Sequence, residues 1–176
     1  MAVCDITAGR LISCKDAIGG LRKVYFINYD DMGEADYTYD ADGETITAVA
    51  GIPQAFEYDL HLGNDLTQNI TSSPENGTTY FEQVLSLTLK KLSQADNPQI
   101  RQLTYGHPHV MVLDQMGNYM LVGALNGADV TGGTAVTGNA MGDLNGYTLT
   151  FTAQEKTLAN FYTGSFDTEF TVVVGV

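Results

Sequence analysis

Residues 81–92 read FEQVLSLTLKKL. Phe81, Gln83, Leu85, Leu87 and Leu89 recur at every second position, with Glu82, Val84, Ser86, Thr88 and Lys90 between them. Successive side chains point to opposite faces of a strand, whereas a helix brings together residues three or four apart. The alternation therefore predicts one long strand with an apolar face. Just beyond it, Asp96-Asn97-Pro98 reads as a helix start. Pro98 takes the first helical position, where its missing N–H costs no hydrogen bond. Ile100 and Leu103 form the buried face of this helix and Gly106 stops it.

Toward the C-terminus, residues 109–114 (HVMVLD) and 118–123 (NYMLVG) flank Gln115, Met116 and Gly117, a hairpin pattern. Their apolar runs are nearly continuous, which predicts strands covered on two faces, the second cover coming from a partner subunit. Residues 124–146 carry Gly127, Gly132, Gly133, Gly138, Gly142 and Gly146 and read as a flexible or interface loop. Residues 147–152 (YTLTFT) alternate again, and residues 168–174 (TEFTVVV) close the chain as a strand; residues 153–164 fit neither period.

Toward the N-terminus, residues 24–29 (VYFINY) are β-branched and aromatic and predict a strand. Residues 30–44 hold Asp30, Asp31, Glu34, Asp36, Asp40, Asp42 and Glu44 and no base. Within them Tyr37 and Tyr39 alternate with polar residues, the run from Asp40 to Gly43 supplies turn chemistry, and Ile46 and Ala48 alternate after it. That is a second hairpin. Residues 54–62 predict a further strand and residues 63–78 a loop. Residues 1–23 have no clean period and read as an extended arm, leaving residues 24–176 as a single β-rich domain. The sum is about seven to nine strands and one short helix: a mainly β chain, a β-sandwich or barrel with one short flanking α-helix.

Charged residues are 16% of the chain, against about 25% in typical globular proteins. The net charge is −13, and the bases are scattered. Phosphate contacts need a concentrated basic face, so nucleic-acid binding is disfavoured; an acidic field repels the DNA backbone. The start MAVCDITAGR lacks a basic segment followed by an apolar one, and no run is long enough for a membrane span. The expectation is a protein made in the cytoplasm, with no membrane partner, Cys4 and Cys14 as free thiols, and unused sequons at Asn69 and Asn76.

Each pattern that invites chemistry is incomplete. The glycine-rich stretch has no Lys or Arg between Arg101 and Lys156, so it cannot be a phosphate-binding loop of the Lys-containing kind. Placing Gly43 at the sixth position of an EF-hand loop puts Asp40 and Asp42 at the third and fifth, but Thr38 at the first and Val49 where a bidentate Glu is required. His107 and His109 lie two apart across Pro108, and nothing in the spacing brings His61 to them as a third metal ligand. Cys14 has Lys15 beside it but no placed base. No G-x-S-x-G occurs, and Trp is absent, which disfavours a sugar-hydrolase cleft. No catalytic, cofactor-binding or metal residue is assigned, and an enzyme is not expected.

Several segments together resemble phage tail-tube-type virion proteins. They are FEQVLSLTLKKL, the helix after Asn97-Pro98, the hairpin HVMVLDQMGNYMLVG, the stretch TGGTAVTGNAMGDLNG and the strand YTLTFTAQE. The opening CDITAGRLISCKDAIGGLRKVYF also resembles the starts of phage structural proteins. The likeness spans roughly two thirds of the chain and rests on a pattern rather than one diagnostic motif. It implies a β-barrel or sandwich with a flanking helix, a homo-oligomer of stacked hexameric rings in the virion, other tail or neck proteins as partners, and DNA that passes without specific binding. Secretion-system tube, tail-terminator and baseplate-hub proteins share that fold, so a neck, head-decoration or baseplate role stays open. On this reading residues 1–20, 63–79 and 124–146 order on assembly, and the acidic residues 30–44 lie in the lumen or on the outer surface. The rival class is an adhesion or carbohydrate-binding module exposing Tyr105, Tyr119 and Tyr162.

Overall fold

A computed structural model describes residues 6, 8–11 and 14–175. The long alternating segment forms β6 (Thr78–Lys90), and its predicted apolar face is the buried one: Gln83, Leu85 and Leu87 are inside, while Val84, Ser86 and Thr88 are half-exposed. Antiparallel β10 (Gly146–Glu155) runs along one edge, in register from Gly146 opposite Lys90 to Glu155 opposite Phe81. Along the other edge runs β5 (Asp65–Ser73), and β9 (Asp129–Val136) extends the sheet beyond β10. The order is β5-β6-β10-β9.

A second sheet has eight strands. Within it β1 (Leu21–Ile27) pairs antiparallel with β4 (Gln54–Asp59) and β7 (His109–Asp114). Beyond β7 lie β8 (Tyr119–Val122), β11 (Asn160–Tyr162), β3 (Ile46–Val49) and β2 (Tyr37–Tyr39). Beyond β4 lies β12 (Thr171–Val174), which runs parallel to it. The fold is mainly β, a two-sheet sandwich. α1 (Asp96–Tyr105) flanks it, burying Ile100 and half-burying Leu103 as the periodicity requires. Pro98 is the third helical residue rather than the first, still within the turn whose N–H groups have no helical partner. The Gly106 N–H ends the helix on the Gln102 carbonyl.

Strand alternation divides the core in two. Val24, Phe26, Val110, Val112 and Val122 point at the small sheet and meet Leu85, Leu87, Leu149 and Phe151. Tyr25, Ile27, Met111 and Leu121 point the other way, where Met32, Phe166 and Phe170 cover them. Phe166 belongs to α2 (Phe166–Glu169) and lies 4.5 Å from Tyr25 and 4.8 Å from Tyr119, centroid to centroid.

Several expectations are corrected. The β7–β8 hairpin is indeed covered on two faces, but by its own chain, so no partner is needed there. Residues 63–78 are not a loop: most are β5, whose Thr, Gln, Asn and Ser residues carry no apolar rhythm and are ordered by pairing with β6. Residues 124–146 contain β9, where the backbone approaches so closely that a Cβ on Gly133 would sit 2.6 Å from the Thr148 carbonyl oxygen. The last strand begins at Thr171, after a helical turn, and β1 begins at Leu21, inside the segment read as arm. The described residues form twelve strands, against the seven to nine read from the sequence.

Candidate functional site

The β8–β9 connection, residues 123–128, is gripped from several sides. Gln83, a polar residue on the apolar face of β6, accepts the Gly123 N–H at 3.0 Å and donates to the Thr157 carbonyl. Glu155, buried at the end of β10, accepts the Leu125 and Asn126 N–H groups at 2.9 and 2.8 Å. The Tyr37 hydroxyl donates to the Ala124 carbonyl and the Tyr29 hydroxyl to that of Leu125. Burial pushes the Tyr37 phenol far above its ordinary value, keeping it a donor. The buried His109 imidazole lies between the carbonyl oxygens of Gly123 and Met32, at 2.5 and 2.9 Å. Gly127 has a φ of +74°, and a Cβ there would lie 2.3 Å from the His107 carbonyl oxygen, so only glycine fits.

This network fixes one wall of a groove of about 350 Å³. Tyr29 stacks on His109 at 5.1 Å and meets the edge of His107 at 4.5 Å. Phe26, Phe56 and Tyr58, cross-strand neighbours on β1 and β4, form the floor, and Leu103, Gln99 and Gln102 of α1 form the far wall. Burial, with help from the Asp96 carboxylate, raises the Tyr58 phenol above its ordinary value. Asn28 and Asp30 close the mouth. The lining offers aromatic faces, amides and a carboxylate but no lysine, arginine, serine or cysteine. Such a surface suits an apolar or basic guest and lacks a nucleophile for acyl transfer.

The structure separates the residues that the sequence offered for chemistry. His107 is exposed at the groove, His109 is buried with both ring nitrogens engaged, and His61 lies at the end of β4. Among the described residues no three metal-ligating side chains converge. Cys14 is exposed, and Cys4 lies outside the described residues. Of the tyrosines proposed for sugar stacking, Tyr105 is exposed, but Tyr119 is half-buried and Tyr162 is buried with its hydroxyl on Glu169. Asn69 and Asn76 are exposed on β5 and the turn after it. Among the described residues no helix is long and apolar enough to cross a membrane.

Asp40 closes the β2–β3 hairpin, its Oδ1 accepting the Gly43, Glu44 and Thr45 N–H groups. Desolvation pushes this carboxyl up, but the N–H groups of Thr45, Glu44 and Gly43 outweigh it and hold it below its ordinary value. The Ala140 and Asn139 N–H groups likewise lower Asp143. A carboxylate depressed by folding stabilises the turn above its unfolded pKa, and that contribution is lost as pH falls through the depressed value. Acidification below the ordinary aspartate range is therefore expected to free the Gly43 and Ala140 amides while the β6–β10 ladder stays protected. Amide exchange followed by NMR checks this; equal loosening of all three would contradict it.

The groove residues come from three separate segments, 26–30, 56–58 and 99–108, so no local motif marks them. Gln83 alone left a trace: a polar side chain on the buried face of an otherwise apolar alternation. No protein-family model, curated protein or solved structure matches the chain.

Proposed function

We propose that the chain is a structural virion subunit of the tail-tube type, which joins copies of itself into stacked hexameric rings and forms a conduit for phage DNA. It acts by assembly, without cofactor or catalysis, after synthesis in the bacterial cytoplasm. The observation that carries this reading is the arm. Ile6 and Leu11 are 94% and 93% exposed and Ile18 66%, and the described residues between 6 and 19 form no helix or strand. Three large aliphatic side chains held in water are costly unless a partner covers them. Open sheet edges add to this: among the described residues β12 pairs with β4 alone and leaves Val174 66% exposed. Edges of this kind accept a strand from a neighbour. A net charge of −13 suits a surface that DNA must slide past.

Negative-stain microscopy beside light-scattering mass tests the reading. Rings or tubes and masses that are multiples of 19.0 kDa are expected. A monomer at every concentration, with bare grids, counts against the tube. It favours the second reading, a sugar-binding module that uses the aromatic groove, which a glycan array then examines.

A further inference from the structure

The arm and the groove lie at opposite ends of one strand. β1 starts at Leu21, opposite Asp114 near the tip of the β7–β8 hairpin, and ends at Ile27, opposite His109. The arm leaves from the first end, where Gln115 donates its N–H to the Gly20 carbonyl. The groove opens past the second end, at Asn28, Tyr29 and Asp30. Seven strand residues place the root of the arm about 20 Å from the mouth of the groove, whose floor runs back along β1 as far as Tyr58, opposite Val24.

Charge divides the same way. Residues 1–23 hold Arg10, Lys15, Arg22 and Lys23 against Asp5 and Asp16, a net of +2. The rest of the chain holds four bases and nineteen acids, a net of −15. Lys23 is already engaged by Glu57, at 2.7 Å across β1 and β4. Arg10 and Lys15 lie farther out, beside the aliphatic residues. The groove complements that pairing of apolar and basic groups: Phe56, Tyr58 and Leu103 below, Asp30 at the mouth and Asp31 next to it.

We propose that the groove beside α1 seats the arm of a second copy, with Leu11 on Phe56, Tyr58 and Leu103 and Arg10 against Asp30. Leu11 is not seated in its own chain's groove, since it is 93% exposed. Because donor and acceptor are separate surfaces of one chain, the contact can be heterologous, with copies adding head to tail into a ring or a stack. Burying an aliphatic side chain in an aromatic cleft supplies the affinity, and the acidic mouth supplies orientation. The proposal deepens the self-assembly reading and rests on it.

Photo-crosslinking of the full chain tests it. p-Benzoylphenylalanine replaces Leu11, and equal amounts of isotopically light and heavy protein are mixed, irradiated, digested and analysed by mass spectrometry. Crosslinks to residues 26–30, 56–58 or 99–108 in mixed-isotope pairs are expected. Arg10→Glu should lower their yield about two- to fivefold, and Asp30→Lys added to it should restore the yield. Crosslinks to another surface, pairs of one isotope only (an arm folded onto its own copy), or no crosslink at all would each overturn the proposal. Microscopy of the same sample keeps the two readings apart. Rings with crosslinks elsewhere sink the seat and spare the tube; groove crosslinks between copies without rings do the reverse.

Discussion

Phe151→Ala is expected to lower the unfolding free energy by about 3–5 kcal/mol. The side chain is 0% exposed and its ring centroid lies 5.2 Å from that of Phe26. It stands in register with Leu85 on β6 and Val130 on β9, so it joins three strands of the small sheet to β1 of the large one. Truncation removes a large buried apolar surface and leaves a cavity between two sheets that cannot close on it without shifting their registers. Domains of this size are stable by only about 5–15 kcal/mol, so the loss is a large share of the total. Urea denaturation followed by circular dichroism reads it as a lower midpoint at unchanged slope. Thr150→Ala, one residue away on the opposite face, is the control and should stay within about 0.5 kcal/mol. Equal effects at the two positions would mean that the sheet faces are assigned wrongly.

Glu155→Ala is expected to cost about 3 kcal/mol, through hydrogen bonding rather than packing. Its carboxylate accepts two backbone N–H groups of the β8–β9 connection in a buried setting, and alanine leaves both without that acceptor. Glu155→Gln retains an acceptor oxygen at the same place and should lose clearly less. Amide exchange at Leu125 and Asn126 should rise in the alanine variant more than at β6. Because Tyr29 is held by the Leu125 carbonyl, the same variant should loosen the groove wall and weaken whatever binds there. Equal losses for alanine and glutamine would show that the acceptor oxygen is not what matters.

Both predictions rest on side chains the sequence marked differently. Phe151 sat on the apolar face of a clean alternation in residues 147–152, and its burial was legible from that period alone. Glu155 lay in residues 153–164, which fit no period, and nothing local distinguished it from the many exposed acids. The groove was invisible for a related reason. Tyr29, Tyr58 and Leu103 are unremarkable singly, and only the crossing of β1, β4 and α1 makes them one surface. Three of the residues offered for chemistry or stacking, His109, Tyr162 and Asp40, turned out to hold the fold: the first two buried and bonded inside, the third closing a turn.

By itself the sequence determined the features whose energy is local. Alternation set the long strand and its buried face, turn residues set the two hairpins, and Asp96 to Gly106 set the helix, since each depends on neighbours a few residues away. Tertiary structure alone decided the rest. β5 and β9 are polar or glycine-rich, and what makes them strands is hydrogen bonding to β6 and β10, chain neighbours only in space. The second cover of β7 and β8 came from α2, more than forty residues on, rather than from another subunit. Apolar runs state that a surface must be buried, and chain connectivity decides which surface buries it.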